Sequence, residues 1–137
     1  MLDLSETTIT EIPNSSFKGN EYLNSVKLPD TLTSIGDNAF EDAKKLAIIN
    51  FPSSLTKIGL GAFANCLNLQ EANLKDTKIT ILYEQAFYNC SSLNKIVLPD
   101  GLLTIKSSAF TYCISLEEIT FPEKFKVIER FVFGGCN

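Results

Sequence analysis

"LPDTLTSIGDNAF", at residues 28–40, is written again as "LPDGLLTIKSSAF" at residues 98–110. The two stretches share their apolar positions, the proline and the closing Ala-Phe pair, while most of their polar positions differ. Self-similarity of this kind indicates a repeat architecture, in which each copy is one structural unit. The chain is therefore best compared with itself before any single motif is interpreted.

One phenylalanine marks each copy of the repeat. The intervals between these residues are 23, 23, 24, 23 and 23 positions, for Phe17, Phe40, Phe63, Phe87, Phe110 and Phe133. The other apolar positions keep fixed distances from it, and the unit reads L-x-x-I-x-L-P-x-x-L-x-x-I-x-x-x-A-F-x-x-C-x-x. Because one such unit cannot bury its apolar face alone, the period predicts a solenoid of about five stacked 23-residue coils.

Two copies differ from the rest at one corner. Residues 4–17 ("LSETTITEIPNSSF") and 74–87 ("LKDTKITILYEQAF") are each one residue longer and lack the proline that follows the strand. We expect the extra residue to form a turn that leaves the stacked columns in register.

The spacing within a unit predicts its secondary structure. In "LNSVKL" (23–28) the apolar residues alternate with Ser25 and Lys27, which is typical of a short strand. We expect one such strand per coil, stacked in parallel, and a second short extended segment at "LTSI" (32–35) and its equivalents. The segment around each phenylalanine is too short for a stable free helix, so it predicts a short helical or 3-10 turn.

Composition and charge restrict the class of protein. A chain of 137 residues with 45% hydrophobic residues is long enough for one domain with a real core. A net charge of -4 without any cluster of Lys or Arg argues against nucleic-acid binding. No apolar run approaches the roughly 20 residues that cross a bilayer, and the N-terminus lacks signal-peptide features. We expect no direct membrane insertion, and we expect any secretion signal or anchor to lie outside this chain.

Four cysteines stand in one column of the repeat. The spacings between Cys66, Cys90, Cys113 and Cys136 are those of the repeat and not those of a zinc site, and the chain contains no histidine. Side chains in one column run parallel, so their Cβ atoms do not close to the roughly 3.8 Å that a disulfide requires. The sequence predicts free, buried thiols that pack as small apolar residues.

No motif predicts catalysis. The neighbouring carboxylates Glu117 and Glu118 would point to opposite faces of a strand, and Glu41 and Asp42 fit an exposed turn. The glycines of "GLGAFANC" (59–66) lack the Lys-Ser/Thr sequel of a phosphate loop. We therefore predict no catalytic, cofactor or metal site, and a protein that is not an enzyme.

The repeat resembles the leucine-rich repeats of the BspA-like, or Treponema pallidum type, family, which recur in surface proteins of bacteria and protozoan parasites. The resemblance covers the whole chain in six in-register copies, with departures at Asn20 and Ala43 in the cysteine column and at Ser5 and Lys75 in the proline column. It implies a leucine-rich-repeat solenoid that forms a single domain over 1–137.

The outward positions of the predicted strands vary, while the buried columns hardly change. One outward column is Ser25, Ile48, Glu71, Lys95 and Glu118, and the other is Lys27, Asn50, Asn73, Val97 and Thr120. A repeat scaffold can present such residues as a preorganised wall that selects a partner. Solvent exposure alone would also allow this variation, and the alternating charges at 71, 95 and 118 would also result from cross-strand pairing. Ile48, Lys95 and Val97 are the strongest candidates for partner contact.

Together with the resemblance, these features predict a non-catalytic module that binds a protein or a host-matrix ligand. We expect an adhesin-like protein at the cell surface or secreted. The alternative is a structural spacer or an intracellular scaffold repeat without a tight ligand, and the sequence is compatible with both. The terminal coils show no polar cap, so we expect either a segment of a longer repeat array or a short protein that covers its ends by end-to-end self-association.

Overall fold

A computed structural model describes residues 1–136, and that range contains eleven short β-strands and no helix. The strands are β1 (Leu2–Asp3), β2 (Glu11–Ile12), β3 (Ser25–Lys27), β4 (Ser34–Ile35), β5 (Ile48–Ile49), β6 (Lys57–Ile58), β7 (Glu71–Asn73), β8 (Ile81–Leu82), β9 (Lys95–Val97), β10 (Thr104–Ile105) and β11 (Val127–Ile128). Every pairing between them is parallel, and each strand pairs with the equivalent strand of an adjacent coil. The chain is a parallel β-solenoid, as its period predicts.

The strands form two columns, one for each extended segment of the repeat. The first column contains the sheet β1-β3-β5 and the pair β7-β9. The second contains the sheets β2-β4-β6 and β8-β10-β11. Both predicted extended segments are thus confirmed.

The predicted strand at residues 118–120 is not formed, so this part of the prediction was wrong for Glu118 and Thr120. The ring of Phe121 packs against Phe125 and Phe133 of its own coil, at centroid distances of 4.8 and 6.4 Å. Nothing in the described chain pairs residues 118–120 with β9. The first column therefore ends at β9.

A stack of phenylalanine rings runs through the core. From Phe17 to Phe133, successive ring centroids lie 5.2, 5.2, 5.4, 5.6 and 5.8 Å apart, and no two neighbouring planes differ by more than 12°. The four inner rings are fully buried, and the leucine and isoleucine columns surround them. Since the first and last coils both contribute a ring, the solenoid has six stacked turns, one more than the expected five.

The segment around each phenylalanine forms turns, so the predicted helical or 3-10 turn was wrong. Asn38 and Asp42, on either side of Phe40, have φ angles of 56° and 60°, in the left-handed region that interrupts a helix. The N–H groups of Phe40 and Asp42 donate to the next coil, to the carbonyl oxygens of Ala62 (2.8 Å) and Ala64 (2.9 Å). The turns thus add a third ladder between coils.

The two longer coils accommodate their extra residue in a turn, as expected. Thr7 donates through its N–H and its hydroxyl to the carbonyl oxygen of Leu4, and Thr77 does the same to Leu74. The strand columns on either side keep their register. Between residues 1 and 136, no helix has the length and apolarity that a membrane crossing requires.

Candidate functional site

We call the ten outward positions the outward strand face: Ser25, Lys27, Ile48, Asn50, Glu71, Asn73, Lys95, Val97, Glu118 and Thr120. Eight of these side chains are exposed, while Ser25 and Val97 are half-buried. The strand register places Ser25 beside Ile48, and Asn73 beside Val97. Ile48 is 68% exposed, which leaves a large apolar side chain in solvent near the middle of the face.

An ion pair accounts for part of the charge pattern on this face. Lys95 Nζ lies 3.1 Å from Glu71 Oε1, across the β7-β9 pair, with both side chains largely exposed. Cross-strand pairing is thus confirmed for these two residues. Exposed pairs contribute only about 0–1 kcal/mol, so the contact adds little to the stability of the solenoid. Glu118 forms no ion pair with any described Lys or Arg.

Two asparagines of the face are engaged within the solenoid. Asn50 Oδ1 accepts a hydrogen bond from the N–H of Leu28 at 2.7 Å, and Asn50 Nδ2 donates to the carbonyl oxygen of Leu28 at 3.2 Å. Asn73 Oδ1 accepts from the N–H of Lys75 at 3.1 Å. At the end of its strand, each amide side chain forms a hydrogen bond that a backbone group forms elsewhere in the strand ladder. They contribute to the fold, although they are exposed.

A cleft opens at the C-terminal end of the outward strand face. Its volume is about 700 Å³. We call it the β9 cleft, and it is lined by Lys75, Asn94, Lys95, Ile96, Val97, Leu98, Asp100, Glu117, Glu118, Thr120, Phe121 and Pro122. Four of the residues predicted from the sequence, Lys95, Val97, Glu118 and Thr120, meet here.

The sequence prediction missed other residues of this cleft. Lys75 Nζ pairs with Asp100 Oδ1 at 2.5 Å along its rim, and Glu117 and Phe121 complete its far side. A signal was present, because Lys75 stands where other coils carry proline, and Asp100 follows the proline of the next coil. Both residues lie just after a strand, so a prediction restricted to the outward positions of the strands did not include them.

The second strand column offers less for recognition. The hydroxyl of Thr33 donates to the carbonyl oxygen of Thr10 at 3.0 Å, and that of Thr56 donates to Thr33 at 2.9 Å. Each hydroxyl therefore already has a partner in the coil before it. These threonines reinforce the stacking of the coils.

The four cysteines are free, as predicted. Each thiol donates to the carbonyl oxygen of a phenylalanine in the coil before it, and all four distances are 3.1 Å, for Cys66 to Phe40, Cys90 to Phe63, Cys113 to Phe87 and Cys136 to Phe110. Three are buried, but Cys136 is only half-buried, so the expectation of burial was wrong for this residue. Its coil is the last that the structure describes, so nothing there covers it.

Burial suppresses the reactivity of these thiols. It raises the pKa of Cys113 to about 12, and it raises the pKa values of Cys66 and Cys90 further above their ordinary value. The thiolate is the nucleophile and the metal ligand, so a thiol that stays protonated is inert in both roles. Within residues 1–136, no group of three His, Cys, Asp or Glu side chains could hold a metal ion.

Comparison with known proteins identifies the repeat. The family of the BspA type leucine rich repeat region matches residues 10–137 in six copies. No curated protein matches the chain.

Solved structures of bacterial proteins share the fold. A leucine rich cell surface protein from Faecalibacterium prausnitzii is 32% identical, with a TM-score of 0.75, over 89% of this chain and 30% of that one. A leucine-rich repeat protein from Eubacterium ventriosum is 27% identical, with a TM-score of 0.86, over 93% and 34%. A leucine rich repeat protein of T. pallidum is 26% identical, with a TM-score of 0.73, over 93% and 63%.

The chain spans about a third of the length of the first two of these proteins. The match to the family, in contrast, covers nearly the whole chain, from residue 10 to residue 137. The chain belongs to the BspA-type leucine-rich repeat family.

Proposed function

We propose that this chain is a non-catalytic binding module of a cell-surface or secreted, adhesin-like protein, and that it binds a protein or extracellular-matrix ligand on the outward strand face. The observation that carries the proposal is the exposed apolar side chain of Ile48 on a rigid strand, with Lys95 and Val97 two coils further along the same face. Exposed apolar groups beside a cation on a preorganised scaffold are suited to contact with a protein surface.

The contrast between the two strand columns supports this choice of face. The hydroxyls of Thr33 and Thr56 are hydrogen-bonded within the solenoid, whereas Ile48 has an apolar side chain that only a partner could cover. One relative of known structure is described as a cell surface protein. That location agrees with the proposal for this chain.

The proposal predicts that binding depends on three side chains. In the variant Ile48→Ser, Lys95→Gln and Val97→Thr, we expect the affinity for immobilised extracellular-matrix proteins or cultured epithelial cells to fall at least tenfold, about 1.4 kcal/mol. Threonine preserves the shape of the half-buried Val97, so the Tm should change by no more than a few degrees. Surface plasmon resonance and thermal melts measure the two quantities.

The matched control is Thr33→Val with Thr56→Val, which removes two hydroxyls from the other column. If this control weakens binding while the triple variant does not, the other column is the binding face. If the parent chain binds none of these surfaces, the binding function is wrong.

A structural role is the second candidate. It is favoured by the Glu71–Lys95 pair and by the amides of Asn50 and Asn73, since these polar groups of the outward strand face serve the solenoid itself. A spacer or scaffold repeat would bind no ligand tightly and would leave the triple variant without a phenotype.

We also propose that the chain associates end to end. β11 pairs with β10 along one edge only, and its side chains Val127 and Ile128 are about half exposed, beside Phe131 at 72%. A second copy could add its first coil to this edge as a head-to-tail contact. Sedimentation velocity should show dimers that increase with concentration, and Phe131→Ser should reduce them. A concentration-independent monomer would contradict this.

A further inference from the structure

The edge of β9 is open on one side. β9 pairs with β7 along its other edge, in register from Glu71↔Lys95 to Asn73↔Val97. Within residues 1–136, no hydrogen bond joins β9 or its flanking residues to residues 117–121. This edge faces the β9 cleft.

The equivalent edge in an earlier coil shows which groups are left unpaired. There, the carbonyl oxygen of Asn24 accepts from the N–H of Ala47 at 2.9 Å, and the N–H of Leu28 donates to Asn50. The corresponding groups three coils later are the carbonyl oxygen of Asn94 and the N–H of Leu98, and neither has a partner on this side within residues 1–136. Such an edge is a template for an added strand.

The size of the cleft suits a peptide. Its volume of about 700 Å³ lies within the range of about 300–1,000 Å³ that is typical of ligand pockets. Its apolar lining includes Val97 and Phe121, which could take alternate side chains of an extended segment. Main-chain hydrogen bonds would then supply affinity and these side chains specificity.

The charges of the cleft favour a basic ligand. Its two lysines are already paired, Lys75 with Asp100 and Lys95 with Glu71. Glu117 and Glu118 are exposed and pair with no described Lys or Arg. The carboxylates of Glu117 and Glu118 therefore give the cleft a negative charge, and a positively charged ligand would complement it.

We propose that the β9 cleft binds an extended, basic segment of a partner protein, which adds as a strand to the open edge of β9. The proposal rests on the function proposed above, since it names the mode of recognition at one end of the outward strand face. It predicts recognition by backbone pairing together with Glu117 and Glu118.

A short peptide tests the proposal. The probe is acetyl-LKKITF-amide, which follows the chain's own residues 116–121 with both glutamates replaced by lysine. In the control peptide acetyl-LKKIPF-amide, proline replaces the threonine at the position equivalent to Val97, whose N–H faces the preceding coil, and so removes one backbone donor to β9. We expect the probe to bind at least tenfold more tightly than the control, as measured by isothermal titration calorimetry.

Variants of the protein test the charge. Glu117→Gln with Glu118→Gln should weaken the probe about tenfold and reduce the salt dependence of its binding. The matched control, Glu6→Gln with Glu21→Gln, removes two exposed carboxylates outside the cleft and should leave binding unchanged.

Hydrogen exchange followed by NMR tests the edge itself. The amides of Ile96 and Leu98 should exchange rapidly in the free protein and at least tenfold more slowly with the probe bound. The proposal fails if these amides are already as protected as that of Val26 in β3, because residues 118–120 would then close the edge. It also fails if the probe does not bind, or if the proline peptide binds equally well. Loss of matrix binding in the triple variant would still support the outward strand face in each of these cases.

Discussion

Replacing Phe63 by alanine is expected to lower the free energy of unfolding by about 3–5 kcal/mol. The Phe63 ring is fully buried and stacks between Phe40 and Phe87, at 5.2 and 5.4 Å, while Phe51 packs edge-on at 5.6 Å. The backbone ladders hold the coils on both sides, so the cavity left by the ring cannot collapse. The cost should therefore lie toward the upper end of the range.

Urea denaturation followed by far-UV circular dichroism measures this loss. The control is Tyr22→Ala, because Tyr22 is 89% exposed and its removal should change stability by less than about 0.5 kcal/mol. A loss below about 1 kcal/mol for Phe63→Ala would show that the phenylalanine stack is not the main support of the core.

Replacing Gly59 by alanine is expected to cost about 1–3 kcal/mol, because the coils pack too closely there for a side chain. A Cβ at this position would lie 2.4 Å from Asp37 Oδ1, 2.7 Å from the backbone nitrogen of Asp37 and 2.8 Å from the carbonyl carbon of Gly36. The aspartate could rotate only by giving up its hydrogen bond from the N–H of Leu60 at 2.9 Å. The backbone contacts can be relieved only if the coils separate.

The matched control is Gly101→Ala, since a Cβ at Gly101 would meet nothing within 4 Å. This change should be neutral or should stabilise the chain by about 0.4–1 kcal/mol, through a less flexible unfolded state. Equal stability of the two variants in urea would refute the close approach of the coils at Gly59.

The fold could be predicted from the sequence wherever packing repeats. The Phe63 column, the isoleucines of both strand columns and the free cysteines all follow from side chains that must stack on copies of themselves. The turns around the phenylalanines could not be predicted in this way. Their shape depends on the backbone conformation of residues such as Gln85, which is in the left-handed region although its side chain does not favour it.

The candidate site was predicted less completely than the fold. The alternation of apolar and polar residues along the strands identified Ile48 and Lys95 as exposed. The opposite charges of neighbouring coils identified Glu71 as the partner of Lys95. Side-chain bonds to the backbone, such as that of Asn50 to Leu28, depend on atomic positions that no periodicity encodes. The open edge of β9 could not be predicted either, because residues 116–121 repeat the apolar spacing of the coils whose strands do pair.

The left-handed positions also bear on how such a protein can change over evolutionary time. Within residues 1–136, nine of them carry a residue other than glycine, among them Gln85, Tyr112 and Phe131. A left-handed conformation costs an ordinary residue roughly 1–2 kcal/mol, and glycine removes that cost. A coil damaged by drift elsewhere can therefore regain its stability through one substitution at its own turn, without altering the core or the outward strand face. Each coil can thus tolerate mutations independently of the others. The exposed strand positions remain free to diversify.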